Sequence, residues 1–429
     1  MRPHNLRPTP AINHAGARNA RVFFINRYFF PDMSATAQIL TDLACGLAEN
    51  GFEIHVVCSR QLYDAAGARL AAEELLRGVI VHRIWTTRFG RSGLLGRAFD
   101  YASFYVLCGA ALARLLRRGD IVVAKTDPPL ISIVAAAAAR LKGAALVNWL
   151  QDVFPEVASQ LGANPLPAFL DRALRRLRDA SLRAAAANVV LGSRMLEYIG
   201  TRCIPASQCR VIENSADPDS LRPRAPGDSA LRVRLGLVDK FVIGYSGNLG
   251  RAHEYDTVLG AAEALRLDGR FAFLFIGGGV NMRSLEIQVK QRGLSNFHFL
   301  PYQARENLED SLAASDVHLA SLIPTLEGLI VPSKFYGILA VGRPVVFIGD
   351  GDGELSRAIR SSRCGLVVEA GNSKALVDAI NSLESDVGRR HAMGAAAREL
   401  LCTRYSSKRA LERWRELLAQ VQANPDHRR

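Results

Sequence analysis

The sequence predicts an α/β protein made of two doubly wound parallel-sheet domains that face each other across a cleft. Three observations lead there. The chain has 429 residues, more than one ordinary core accommodates and enough for two α/β units of about 200 residues each. Short apolar runs alternate with stretches of helical period, and this rhythm occurs twice, on either side of a proline-rich segment. Glycine is frequent, with 35 residues, and gathers at the ends of the apolar runs, where such folds turn.

The first series opens with 22–26 (VFFIN), followed by a loop from Tyr28 to Met33. Helical spacing then runs through Ala37, Leu40, Leu43, Ala44 and Leu47 to Gly51, and 53–58 (EIHVVC) reads as a second strand. Strand, helix and strand in so short a stretch make a βαβ unit, because parallel strands need a crossover. Strands at 79–84, 121–124, 145–150, 189–191 and 211–213 continue the pattern, with helices over 98–116 and 130–141.

Pro218, Pro223, Pro226 and Gly227 mark 215–228 as a linker between domains at 20–214 and 229–405. The second series has strands at 241–245, 271–276, 297–300, 317–320, 344–348 and 365–368, separated by helical stretches. A last helix, within 406–429, is expected to pack back towards the first domain. Residues 1–19 carry Pro3, Pro8, Pro10 and several arginines without an apolar stretch, and read as a disordered leader. Two Rossmann-like halves place a ligand cleft at the C-terminal ends of both sets of strands.

The net charge of +13 is uneven: residues 1–215 hold 26 Lys and Arg against 16 Asp and Glu, the remainder 28 against 25. A basic first half fits an anionic ligand or surface. Aromatics are sparse around Arg172–Arg183, which favours a membrane leaflet over nucleic acid. That stretch is a helix with Arg172, Arg175, Arg176 and Arg183 beside Leu170, Leu174 and Leu177; it is either a solvated face or a lipid-docking one. The seven cysteines are scattered without a C-x-x-C pair, as in a protein with reduced thiols. No uninterrupted apolar run reaches the roughly 18 residues of a spanning helix. The nearest, 101–116, contains Arg114 and reads as a buried helix or a shallow surface one.

Candidate chemistry lies at strand ends. After 241–245 comes Ser246-Gly247-Asn248-Leu249-Gly250-Arg251-Ala252-His253-Glu254, expected to open a helix. Such a turn is an anion site, where free N–H groups, the helix dipole and Arg251 meet a phosphate, or only a tight turn. Gly277-Gly278-Gly279 ends the next strand, without the spacing or the acidic partner of a dinucleotide site. The sharpest stretch is Glu327-Gly328-Leu329-Ile330-Val331-Pro332-Ser333-Lys334-Phe335-Tyr336-Gly337, continuing to Gly342-Arg343-Pro344. Here a loop carboxylate suited to sugar hydroxyls precedes a helix with Lys334 in its first turn, able to meet a phosphate; the alternative is a solvated acid and a surface lysine. Asp152, after strand 145–150, is an acceptor-side acid or a helix cap, and Asp127 a cleft residue or a cap. Asp350-Gly351-Asp352-Gly353-Glu354 lacks the length of a calcium loop and reads as a turn; His55 and His82 read as core or edge histidines.

The 327–344 stretch resembles the donor motif of family-4 GT-B glycosyltransferases: Glu-Gly, a few residues, Pro, a second Glu, a small-residue helix and Gly-x-Pro. The resemblance extends to the Tyr28-Phe29-Phe30-Pro31 loop, the 150–156 turn, the Gly247–His253 loop, Ser315-Asp316-Val317 and 365–368. Bacterial capsule and O-antigen members, with Pro-Ser-Lys-aromatic-Tyr, look most similar. The resemblance implies a cytoplasmic retaining hexosyltransferase without a metal cofactor, using a nucleotide sugar, UDP-linked, and a lipid-linked glycan, at the inner membrane face. It implies Asp152 and Glu327 as catalytic residues, and Gly247, Asn248, Arg251, His253, Gly277, Gly278, Lys334 and Tyr336 as nucleotide-sugar ligands. Three departures stand out. Gly337 (Phe335 by strict count) replaces the second Glu. Asn248 and His253 replace the Arg and Lys that grip the diphosphate. Ser34-Ala35-Thr36 stands where glycines are common. A nucleotide-sugar 2-epimerase on the same fold, or a non-catalytic sugar-nucleotide- or membrane-binding relative, is the rival reading.

Overall fold

A computed structural model describes residues 20–62, 70–89, 94–163 and 166–424. The leader expected over 1–19 lies outside them. Among the described residues eight strands form the first sheet: β1 (Val22–Ile25), β2 (Ile54–Ser59), β3 (Glu73–Leu76), β4 (Val79–Ile84), β5 (Ile121–Lys125), β6 (Ala145–Trp149), β7 (Ala187–Val190) and β8 (Cys209–Val211). Their order is β3-β4-β2-β1-β5-β6-β7-β8. Every pair is parallel except β3–β4, an antiparallel hairpin at the edge. β3 has no counterpart in the sequence reading, because its exposed Glu73 and Glu74 hide the alternation that β4 shows. The strand expected at 211–213 sits two residues earlier. Glu213 instead turns its carboxylate to Arg404 and Arg413 on the returning chain.

The second sheet is wholly parallel: β9 (Phe241–Asn248), β10 (Phe271–Gly278), β11 (Phe297–Leu300), β12 (Val317–Ser321), β13 (Val345–Gly349) and β14 (Gly365–Glu369), ordered β11-β10-β9-β12-β13-β14. β9 and β10 run three and two residues past their expected ends. Glycine permits it: Gly277 pairs with Gly247, and a Cβ on Gly277 would lie 2.2 Å from the Gly247 carbonyl oxygen.

The chain crosses between the sheets twice, side by side. Ala216 N donates to Tyr405 O at 3.2 Å, and Ser407 N donates to Ala216 O at 3.0 Å. The final helix, Ser407–Ala423, then lies on the first sheet. Its buried Trp414 meets Trp149 and Phe24 edge-on, with ring centroids 4.9 and 6.1 Å apart. The helix Leu94–Leu115 buries Phe104, Cys108 and Leu112 but exposes Phe99 and Val106, so only one face is in the core. Among the described residues no helix is long and apolar enough to cross a membrane.

The two halves touch along the cleft. Val153 N donates to Leu329 O at 3.0 Å, and Asp152 and Ile330 form an antiparallel bridge. One apolar cluster joins Leu150, Val153 and Met195 to Leu326, Leu329 and Phe335.

Candidate functional site

The end of β9 does not feed straight into a helix. The helix expected to open from the Ser246–Glu254 stretch begins at Asp256 (Asp256–Ala264), and Glu254 Oε1 accepts its Thr257 N–H at 2.7 Å. An acid holds this N-terminus, so the helix dipole is not what would meet a phosphate here. The intervening loop is clamped instead by Asn281 in the first turn of the helix Val280–Gln291. Its Nδ2 donates to Gly250 O (3.1 Å) and His253 O (3.0 Å). Leu249 N donates to Gly278 O at 2.7 Å.

This clamp sets His253 beside Lys334, the first residue of the helix Lys334–Ala340. His253 Nδ1 lies 2.6 Å from Ser321 O at the end of β12. A carbonyl only accepts, so Nδ1 carries the proton and Nε2 offers its lone pair to Lys334 Nζ, 3.0 Å away. Burial, then the nearby Lys334 charge, depresses the His253 pKa to about 3, which keeps the ring neutral. Lys334 Nζ also lies 4.8 Å from the centre of the Tyr245 ring. Desolvation lowers its pKa to about 7. Among the described residues no carboxylate pairs with it, and its Cε approaches the side-chain-free face of Gly247, 3.9 Å from where a Cβ would stand. Arg251 and Asn248 are exposed on the same loop.

Other expected ligands lie differently. Gly277 and Gly278 stay half-exposed at the strand end, where a side chain has no room: a Cβ on the first would meet the Gly247 backbone, and one on the second would lie 3.0 Å from the Tyr302 ring. Tyr336 turns into the core, edge-on to Phe335 and Tyr405. Its ring fills space between two helices, which is where an aromatic at this position of a short amphipathic helix ends up.

Glu327 stands at the seam between the halves and makes no hydrogen bond or ion pair with Lys334 or His253. Its Oε1 accepts from Glu354 N at 2.8 Å, so it caps the helix Glu354–Ser362. Burial raises its pKa. Gly328, at φ +76°, lets the loop press on the other domain: a Cβ there would lie 3.0 Å from Arg194 O.

Across the cleft, Asp152 is half-buried, and its N–H lies 3.3 Å from Thr126 Oγ1. It caps no helix, since the next one, Glu156–Gln160, begins behind Pro155. Asp127 is no cap either; Leu130 occupies that position ahead of Ile131–Lys142. Burial, then Asp127, raises the Asp152 pKa to about 6 against the opposing charge of Lys125. Lys125 is wholly buried, donates to Thr36 O at 2.7 Å and lies 4.2 Å over the Trp149 ring; burial lowers its pKa to about 7. Lys125, Thr126, Asn148, Asp152 and Phe154 line one narrow pocket. The sequence pointed to nearby Asp127 but gave Lys125 no role.

The arginine helix, Ala168–Ala184, is divided. Arg175 is spent inside the protein, on Asp171 (2.6 Å) and Glu156 (2.9 Å). Arg172 and Arg176 are exposed, next to exposed Phe169 and Leu177.

Comparison with known proteins assigns the arrangement. Residues 34–215 match the glycosyl transferase 4-like domain, and residues 229–400 the glycosyl transferases group 1 model. The probable glycosyltransferase WbjE of Pseudomonas aeruginosa is 28% identical over 334 residues, covering 76% of this chain and 81% of that protein. The putative colanic acid biosynthesis glycosyl transferase WcaI of Escherichia coli K12 is 26% identical over 348 residues, covering 78% and 84%. In fold, the chain is similar to Anabaena HepE in complex with UDP and glucose: TM-score 0.71, 17% identity, 94% of this chain and all of that one covered. The two matched models fall on the two halves that form the cleft, and the chain belongs to the GT-B glycosyltransferases of the group 1, family 4 type.

Proposed function

We propose that the protein transfers a hexosyl unit, N-acetylated and deoxygenated sugars included, from a UDP-sugar to a hydroxyl of a lipid-linked glycan during cell-surface polysaccharide synthesis, with retention and without a metal cofactor. The observation that carries the donor half is the Lys334–His253 pair: a half-buried ammonium beside the Gly247 turn that, among the described residues, has no carboxylate partner. His253 stands where the family's lysine is expected, and Lys334 supplies the missing charge from another element. In this reading Lys334 and Arg251 stabilise the departing diphosphate, the largest electrostatic change in such a transfer. Glu327 accepts hydrogen bonds from the sugar through its second oxygen, and Asp152 accepts one from the acceptor hydroxyl.

UDP as the nucleotide is supported by HepE, whose structure holds UDP. Polysaccharide synthesis is supported by the name of WcaI, at 26% identity. For the lipid, the support is Arg172 and Arg176 beside Phe169 and Leu177, a basic and apolar helix face suited to an anionic leaflet on the cytoplasmic side. The test is a thermal-shift screen of UDP- and GDP-sugars, followed by release of nucleoside diphosphate with lipid extract, for the wild type and Lys334→Ala. Stabilisation by one donor class and loss of turnover in the variant are expected. Full activity in Lys334→Ala, or turnover of the sugar nucleotide without any acceptor into an isomer, overturns the reading.

A further inference from the structure

The stretch Asp350–Glu354 reads in sequence as a glycine-rich turn, yet Glu354, the first residue of the helix Glu354–Ser362, links Glu327 to the first domain. Glu354 Oε2 accepts from Ser193 Oγ at 2.9 Å and from Arg194 N at 3.0 Å, the first two residues of the helix Ser193–Gly200 in the first domain. Gly192, just before that helix, leaves the room: a Cβ on it would lie 2.3 Å from the Glu354 carboxyl carbon. The backbone N–H of the same Glu354 donates to Glu327. Two carboxylates therefore act in series. Glu327 caps the helix that Glu354 begins, and Glu354 caps a helix of the opposite domain. The surrounding groups hold this geometry: Asp350 Oδ1 accepts from Asp352 N at 2.8 Å, and Arg357 grips Asp352 at 2.8 Å.

We propose that Glu354 is a positioning residue for the transfer. Its side chain holds the acceptor-side helix while its backbone N–H holds Glu327, so the residue fixes the Glu327–Gly328 loop against that domain and sets where the second oxygen of Glu327 points relative to the acceptor. The inference rests on the donor reading above only in giving Glu327 a sugar to contact. The apolar seam of Leu329, Val153 and Met195 brings the halves together without direction, whereas the carboxylate at the helix end fixes their register. The contact between the halves is thereby made specific at the one place where the donor carboxylate stands.

Two measurements on the full chain test it. The first is a double-mutant cycle in urea unfolding with Ser193→Ala and Glu354→Ala. The shared hydrogen bond makes the effects non-additive; strict additivity overturns the link whatever the substrate. The second compares UDP affinity and turnover of the donor found by the screen. Glu354→Ala is expected to lower kcat by about tenfold to a hundredfold, the scale of a small misplacement of reacting groups, while UDP affinity stays within about twofold of wild type. Glu354→Gln keeps an oxygen for Ser193 and Arg194 and recovers most of the loss, whereas Gly192→Ala pushes on the same carboxylate and reproduces it. Unchanged kcat in Glu354→Ala, or a loss that glutamine fails to recover, overturns the positioning role. Should Lys334→Ala remain fully active, the donor reading fails by itself and the unfolding cycle still judges the link.

Discussion

Lys334 Nζ donates to His253 Nε2 across 3.0 Å, joining the first turn of one helix to a loop 81 residues earlier in the chain. A neutral imidazole is an unusual partner for a half-buried ammonium, because it orients the charge without neutralising it. The positive charge stays available to a ligand. Moving it back to the loop should therefore be tolerated. Lys334→Ala is expected to lower turnover about a hundredfold or more, as removal of one transition-state donor does elsewhere. His253→Lys in the Lys334→Ala background should recover part of that loss. The rate of nucleoside diphosphate release reads both, and a double variant no faster than Lys334→Ala would show that charge at this point is not what matters.

The same enclosure makes Lys334 a cost to the free protein, with a definite pH dependence. Its pKa falls from the usual 10.5 to about 7 on folding. Between those values the unfolded chain binds more protons than the folded one, so stability rises with pH across the window. Lys334→Met should then stabilise the ligand-free protein, most at pH 6 and least near pH 10. Urea unfolding at several pH values measures it; a benefit independent of pH would mean that packing, not charge, is relieved. UDP binding at pH 8 should also take up protons, since the diphosphate favours the ammonium form. Titration calorimetry in buffers of different ionisation enthalpy detects the uptake.

These residues were legible in the sequence to different degrees, for a physical reason. Gly247, Glu327 and Lys334 could be found because strand ends and helix starts leave local signals: an apolar run, a glycine, a proline. Glu354, Asn281 and Lys125 could not be given their parts, because each acts through partners distant in the chain. Glu354 reaches Ser193 over 161 residues, and Lys125 reaches Thr36 over 89. Periodicity carries no information on such distances. Tyr336 shows the opposite case, in which a motif position taken for a ligand packs into the protein's own core. The helix expected to follow the Gly247 turn is present but starts only at Asp256, for a local reason: Glu254 accepts from Thr257 N, and the residues before it belong to the loop.

Asp152 gives the acceptor side its own pH signature. Burial raises it to about 6 from 3.8, and the Lys125 charge restrains that rise. An ionised Asp152 would be required to accept the acceptor's hydrogen bond, so kcat/KM should fall as pH drops through about 6. Lys125→Met removes the restraint and should move this acid limb upward, while Asp152→Asn should abolish the limb along with most of the activity. A pH–rate profile for the three proteins decides; an acid limb that stays fixed in Lys125→Met would separate it from Asp152.

The C-terminal helix is a structural part of the first domain, and its removal should show it. Trp414 is buried against Trp149 and Phe24, and Leu417, Leu418 and Val421 continue the same face into the core beneath β1 and β6. Trp414→Ala leaves a cavity that the surrounding strands cannot close, at a cost of about 3–5 kcal/mol. Unfolding should then begin in the first domain, with UDP still protecting the second, so that a single melting transition divides in two. Differential scanning calorimetry with and without UDP measures this, and one undivided transition shifted downward would show that the domains unfold together.

The divided arginine helix predicts which charges a membrane would read. Arg175 is held by Asp171 and Glu156, so Arg175→Gln should lower the melting temperature and leave vesicle binding almost unchanged. Arg172 and Arg176 are exposed, and each basic residue near an anionic surface is worth about 1 kcal/mol. Losing both should weaken binding to phosphatidylglycerol vesicles by about thirtyfold, an effect that salt suppresses. Phe169→Ser and Leu177→Ser remove apolar contact instead, so their effect should persist at high salt. Co-sedimentation with vesicles of phosphatidylglycerol and of phosphatidylcholine, at low and high ionic strength, separates the contributions. Equal binding by the wild type and the Arg172→Gln, Arg176→Gln double variant would place the basic first half's charge in some other role.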